Sequence, residues 1–314
     1  MRRFIIGLLL IVFASCAPSN NATKFYKSRD YDAAIKECQQ ILTTDSTDVN
    51  ANLLLAKCYQ MQGKPREAVN TLTHAYKINA TSYSTGKIRA RLIDAKLQYS
   101  DSLIADNSDN AALGQLTSVV ELDTTNKTSV QKLGDFYVSL GFLTQAEKQY
   151  RRLLKQDKKR DDIRTKLADI EKQTARADSL TAIAKADFDA YRYQRTIKIA
   201  EEALQAKADH KDANYYVAMA NGAILYNKGG KSELWDAIEH FGKAMAMHPE
   251  SGEPHYYMGL AYEKKDKREF ENAIHEYETL LEKEPDSPFA KDAKRRIAEL
   301  TDLRDRLKKF WGKE

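Results

Sequence analysis

A small residue at Ala34 returns at Ala68, and another at Ala112 returns at Ala146, each after 34 residues. Each of these alanines opens one pattern, with a larger side chain four positions on and a further apolar one three beyond that. The copies read Ala34, Cys38, Ile41; Ala68, Leu72, Ala75; and Ala146, Tyr150, Leu153. That spacing lies on one face of a helix, and the small residue lets a second helix approach closely. A chain built this way stacks its copies, because one copy cannot bury its own apolar face. With only 13 Gly and 6 Pro in 314 residues, long helices are expected and a loop-rich β-domain is excluded.

A partner helix precedes the repeated one, most clearly in Leu133-Gly134-x-x-Tyr137 followed by Gly141 and Ala146. Gly134 permits close contact, Tyr137 fills the space between helices, and Gly141 stops the first helix. Met258-Gly259-x-x-Tyr262, Ala273, Tyr277, Leu280 and Pro285 form the other strong copy. Ala237, Phe241, Ala244 and Pro249 form the second helix of the copy before it. Weaker copies centre on Thr196, Ala200 and Ala203, and on Ala112, Leu116 and Val119. This pattern resembles the tetratricopeptide repeat (TPR). The resemblance implies an all-α fold, a TPR-type α-solenoid of about seven hairpins over residues 23–287. The copies are clearest at 49–82, 127–160, 211–249 and 252–287. Three spacings depart from 34. They predict a longer first helix over Lys87 to Ile104, an extra helix near Ile163 to Thr174, and an inserted loop at Asn227 to Ser232. Residues 288–314 read as an amphipathic helix, with Ala293, Ile297, Leu300, Leu307 and Trp311 at helical spacing, that caps the raw end of the stack, with a partner-binding or membrane-surface helix as the alternative.

The amino terminus is a targeting segment. Arg2 and Arg3 precede an apolar run from Phe4 to Ala14, shorter than the roughly 20 residues a spanning helix needs. It ends in Phe13-Ala14-Ser15-Cys16, which resembles the lipobox of bacterial lipoproteins, with Phe13 where the family usually carries Leu. The resemblance implies a signal peptide over 1–15, lipid on Cys16, and a short tether over 16–22. Ala17 resembles the sorting pattern that sends such proteins to the outer membrane, and the periplasmic side is the expected location.

The net charge of +5 does not mark a nucleic-acid binder. Cys38 and Cys58 read as small core side chains in adjacent helices, with a disulfide between them as the alternative in an oxidising envelope, and have neither a CxxC neighbour nor metal-ligand spacing. None of the six histidines forms a zinc motif, and His240, His255 and His275 are expected on solvated surface. Gly229-Gly230-Lys231-Ser232 lacks the spacing of a phosphate loop. No nucleophile motif or dinucleotide fingerprint is present, so no enzyme, metal, cofactor or small-molecule substrate is expected.

TPR proteins bind other proteins or peptides along their first helices, and the resemblance implies envelope partners. It favours a non-catalytic scaffold or adaptor anchored by lipid, with an accessory subunit of an envelope enzyme, export or polysaccharide-assembly complex as the alternative. The faces that in one TPR subclass grip a carboxyl-terminal peptide carry Leu53 and Lys57, Gln131 and Asp135, and Tyr215 and Met219, which departs from that subclass. The expected binding surface lies near the end of the chain. Tyr215 and Tyr256 stand three residues before Ala218 and Gly259 on successive first helices. Met219 and Leu260 extend them into an apolar shelf, and Glu263 and Lys264 form its rim.

Overall fold

The computed structural model describes residues 19–265 and 270–310, and among them it contains fifteen helices and no strand. Cys16, the signal segment and Trp311 lie outside the described residues. Two compact units, Met1–Leu133 and Gly134–Glu314, divide the chain.

The helices alternate along the chain as first and second members of hairpins. They are α1 (Ser19–Lys27) and α2 (Tyr31–Thr44), α3 (Val49–Met61) and α4 (Pro65–Ile78), α5 (Thr85–Ala105) and α6 (Asp109–Leu122), and α7 (Lys127–Ser139) and α8 (Leu143–Gln156). Then come α9 (Asp161–Asp189) and α10 (Tyr193–Ala206), α11 (Lys211–Lys228) and α12 (Lys231–Met247), α13 (Glu253–Lys265) and α14 (Phe270–Lys283), and finally α15 (Ala290–Phe310). This is an all-α TPR-type solenoid.

The repeat is phased by its turns. Six of the hairpins reverse through one left-handed residue, at Arg29, Gly63, Asn107, Gly141, Tyr191 and Gly229, with φ between 54° and 75°. Seven residues before each stands a small buried residue: Ala22, Ala56, Ser100, Gly134, Ala184 and Gly222. Two turns back from the reversal is where the paired helices run closest, and only a small side chain fits. A Cβ on Gly134 would stand 2.7 Å from the Tyr150 ring. One on Gly222 would stand 2.5 Å from Phe241, and one on Gly259 2.5 Å from Tyr277. In α11 the close approach therefore falls at Gly222, one helical turn beyond the Ala218 expected from sequence. The extra length of α11 accounts for the slip.

Two expected insertions take another form. No separate helix covers Ile163 to Thr174, because α9 runs unbroken for 29 residues. No loop spans Asn227 to Ser232 either. α11 and α12 lengthen to 18 and 17 residues and leave only Gly229 and Gly230 between them. Continuing a helix satisfies every added backbone group, which an inserted loop would leave to side chains or water. The long first helix α5 is found at Thr85–Ala105, as its spacing predicts. At the carboxyl end, Ala293 and Leu300 of α15 pack with α14 residues Ala273, Tyr277 and Leu280, covering the last hairpin.

Candidate partner-binding groove

In the first unit, the faces of α1, α3 and α5 enclose a groove of about 390 Å³. Asn50, Leu53, Leu54, Lys57 and Gln60 recur at three- and four-residue spacing on α3, so one face of that helix forms the middle wall. Lys87 and Arg91, one turn apart on α5, form the far wall, and Thr23 of α1 the near one. Ala22, Cys38 and Ala56, none more than 1% exposed, make a closed floor. Burial pushes the Cys38 thiol up to about 12, which removes it as a nucleophile at neutral pH. Burial also raises Cys58, and both cysteines are free.

The lining carries three cations, Lys57, Lys87 and Arg91, and no carboxylate. Lys57 Nζ sits 4.7 Å from the centre of the Tyr26 ring, a cation–π contact that steadies the chain without neutralising it. Gln60 donates from Nε2 to Gln98 Oε1 at 2.6 Å. Such a wall can seat a short apolar side chain against Leu53 and Leu54 while pairing carboxylates at the rim. Sequence reading weighed Leu53 and Lys57 only as a departure from one peptide-gripping subclass. The sequence signal it missed was Lys87 and Arg91, one turn apart on the next first helix.

Much of the surface expected near the end of the chain packs against the chain itself. Tyr215 is 5% exposed and Met219 fully buried. The Tyr215 hydroxyl donates to Glu253 at 3.0 Å, and its ring meets His248 edge-on. Tyr256 stacks on Phe289 with centroids 4.5 Å apart, and its hydroxyl donates to Asp292 of α15 at 2.7 Å. Leu260 packs into the α14–α15 core. Glu263 accepts from the Tyr277 hydroxyl at 3.0 Å and from Arg296 Nη1 at 2.9 Å. Lys264 donates to the Tyr226 carbonyl at 2.8 Å. The shelf is thus a packing layer between successive hairpins and the capping helix. Tyr215 and Met219 are buried in it, while Tyr256, Leu260 and Glu263 are half-buried and Lys264 is exposed.

The histidines are likewise more structural than expected. His210 caps α11, accepting from the Ala213 N–H at 3.1 Å, with Asp178 2.8 Å from its other nitrogen. His255 is half-buried and pairs with Glu276 at 2.7 Å, which corrects its assignment to solvated surface. Burial lowers the pKa of the half-buried His240, and of the three only His275 is exposed. Among the described residues, no group of His, Cys, Asp and Glu is arranged to hold a metal, and no helix is long and apolar enough to cross a membrane.

Two family models match the chain. One, described as tetratricopeptide repeat, covers residues 25–83, and the other, described as outer membrane lipoprotein, covers 171–309. No curated protein matches. Among solved structures, the TPR2AB domain of yeast Sti1 in its pHSP90 complex is similar at 16% identity and a TM-score of 0.35, covering 90% of this chain and 97% of that one. A tetratricopeptide repeat protein from Parabacteroides merdae is similar at 13% identity and a TM-score of 0.35, with coverage of 90% and 97%. The carboxyl-terminal part of a TPR protein from Cytophaga hutchinsonii is similar at 16% identity and 0.32, with coverage of 88% and 98%. The repeat and its helical hairpins make the chain a TPR-type solenoid, and over residues 171–309 it is similar to a family described as outer membrane lipoprotein.

Proposed function

We propose that the protein is a non-catalytic interaction scaffold, held at the periplasmic face of the outer membrane by lipid on Cys16, that takes an acidic segment of an envelope partner in the α1–α3–α5 groove. The observation that carries this reading is the composition of that groove: an apolar wall, three cations and no carboxylate. An extended acidic segment with one apolar anchor satisfies every group on the wall. Charged walls of this kind speed encounter and select partners by sign. The outer-membrane lipoprotein match supports the location, and the lipobox-like Phe13-Ala14-Ser15-Cys16 supports the anchor.

Two measurements on cells carrying the full chain test the reading. A photo-crosslinker in place of Gln60 is expected to trap a discrete envelope partner, and Lys57→Glu with Arg91→Glu to abolish the adduct while helicity stays unchanged. An adduct that survives charge reversal removes the groove from the proposal. A single acyl chain binds membranes only marginally and several bind stably, so Cys16→Ala with the signal retained is expected to move the protein to the soluble fraction. Unchanged membrane partitioning removes the lipid anchor.

A further inference from the structure

Between Lys148 and Arg160 stand seven Lys or Arg and one acid, Asp157, a net charge of +6 in 13 residues against +5 for the whole chain. All of the chain's excess positive charge therefore lies in this one stretch. Its placement is set by α8. That helix buries Leu143, Ala146, Tyr150 and Leu153, and at about 100° per residue Lys148, Arg151, Arg152 and Lys155 fall on the opposite, outward side. They line a shallow depression of about 460 Å³. Lys158, Lys159 and Arg160 follow in the turn to α9.

The carboxylates around this stripe are already engaged. Glu147 pairs with Arg151 at 2.6 Å, Asp162 accepts two bonds from Arg160 at 2.8 and 2.6 Å, and Asp161 pairs with Arg164. Asp157 accepts from the Lys159 backbone N–H at 3.2 Å. The side chains of Lys148, Lys155, Lys158 and Lys159 are exposed and pair with no carboxylate among the described residues. Four like charges gathered without a partner repel one another, and an anion that reaches them is attracted by all four. Protein partners are gripped mainly through a few anchors buried in well-packed pockets. Among the described residues, no large apolar side chain is exposed between residues 143 and 182 to serve as one. A headgroup layer needs no such anchor, since each basic residue beside an anionic membrane contributes about fivefold in partitioning.

We propose that the stripe from Lys148 to Arg160 is a membrane-docking surface that lies against anionic phospholipid headgroups, with Lys148, Lys155, Lys158 and Lys159 facing the phosphates. This contact rests on the membrane location inferred above, where an anchored chain meets headgroups at high local concentration, and is independent of the α1–α3–α5 groove.

The test is vesicle pelleting of the full mature chain with Cys16→Ala, purified without acyl chains. Vesicles of phosphatidylethanolamine with phosphatidylglycerol are expected to carry the chain down, phosphatidylcholine vesicles to leave it in solution, and about 0.5 M salt to release it. Lys148→Gln with Lys155→Gln removes two charges from the stripe and is expected to weaken partitioning about 30-fold, with the circular dichroism spectrum unchanged. Lys36→Gln with Lys228→Gln removes the same charge from exposed positions elsewhere and is expected to shift it by no more than about twofold. Failure of the chain to bind the anionic vesicles overturns the proposal, and so does equal weakening by the two double variants, which would reflect net charge alone. A photo-crosslinker in place of the exposed Gln145 that traps a protein in cells, with the adduct lost on Lys148→Gln with Lys155→Gln, also overturns it by giving the stripe an acidic protein partner. With no acyl chain present and the α1–α3–α5 groove untouched, a negative result leaves the anchor and the groove standing.

Discussion

Replacing Gly259 by alanine adds one methyl group where the helices of the last hairpin are closest. An ideal Cβ there stands 2.5 Å from Tyr277 Cε1 and 2.8 Å from both Cδ1 and Cζ, so the ring must retreat by about 1 Å to reach ordinary contact. Tyr277 is fully buried and has little freedom to do so. Its hydroxyl donates to Glu263, which Arg296 of α15 also grips. Overpacking of this kind costs about 1 to 3 kcal/mol, and a weakened hydrogen bond to a charged acceptor adds about 1.5 kcal/mol. Against this, alanine improves helix propensity over glycine by about 1 kcal/mol. The balance is a loss of about 2 kcal/mol, or about 4 to 8 °C in melting temperature for a unit of this size. Gly242 in α12 is the control: nothing lies within 4 Å of its added Cβ, so Gly242→Ala is expected to keep the propensity gain and melt at or slightly above wild type. Thermal scans by circular dichroism on both variants decide the matter. Equal melting of Gly259→Ala and Gly242→Ala would refute the argument that close helix approach demands glycine here.

Two further outcomes follow from particular side chains. Tyr191 holds a φ of 58° while 75% exposed, and the left-handed conformation costs an L-residue about 1 to 2 kcal/mol. Tyr191→Gly should therefore raise the denaturation midpoint by the equivalent of about 0.5 to 1 kcal/mol after the entropy of glycine is counted; a lowered midpoint would mean that the edge contact of its ring with Tyr193 outweighs the strain. Glu253, half-buried beneath Tyr215, has its carboxyl raised by burial above the usual glutamate value. A group raised in the folded state stabilises below its unfolded pKa and loses that contribution as pH rises through the folded one. Glu253→Gln should thus increase stability at pH 7 and leave it unchanged near pH 4, and a gain of the same size at both pH values would contradict burial as the cause.

The fold was legible because helical packing is written in local spacing. Ala34, Ala68, Ala112 and Ala146 each stand five residues after a left-handed turn, and all four are fully buried. The binding surface was harder to read because a tyrosine on a first helix looks the same whether it faces solvent or the next hairpin. Tyr215 and Tyr256 are covered by Glu253 and Phe289, residues 38 and 33 positions away, and spacing within one helix does not report such contacts. Phase slipped for a related reason. Counting from the start of α11 points to Ala218, whereas the turn at Gly229 sets the close approach at Gly222. The turn itself was only partly legible: Gly63, Gly141 and Gly229 announce a left-handed residue, whereas Arg29, Asn107 and Tyr191 adopt the same conformation without glycine.

The unbroken α9 also has a mechanical consequence. A stack of hairpins behaves as a series of springs, each joint contributing compliance where one hairpin slides or tilts on the next. Where α9 serves both α8 and α10, one such joint is replaced by a continuous rod of 29 residues, about 44 Å long. Bending that rod means stretching its own backbone hydrogen bonds, which is far stiffer than shearing a side-chain interface. Under tension, the hairpins on either side should yield while α8, α9 and α10 travel together as one block.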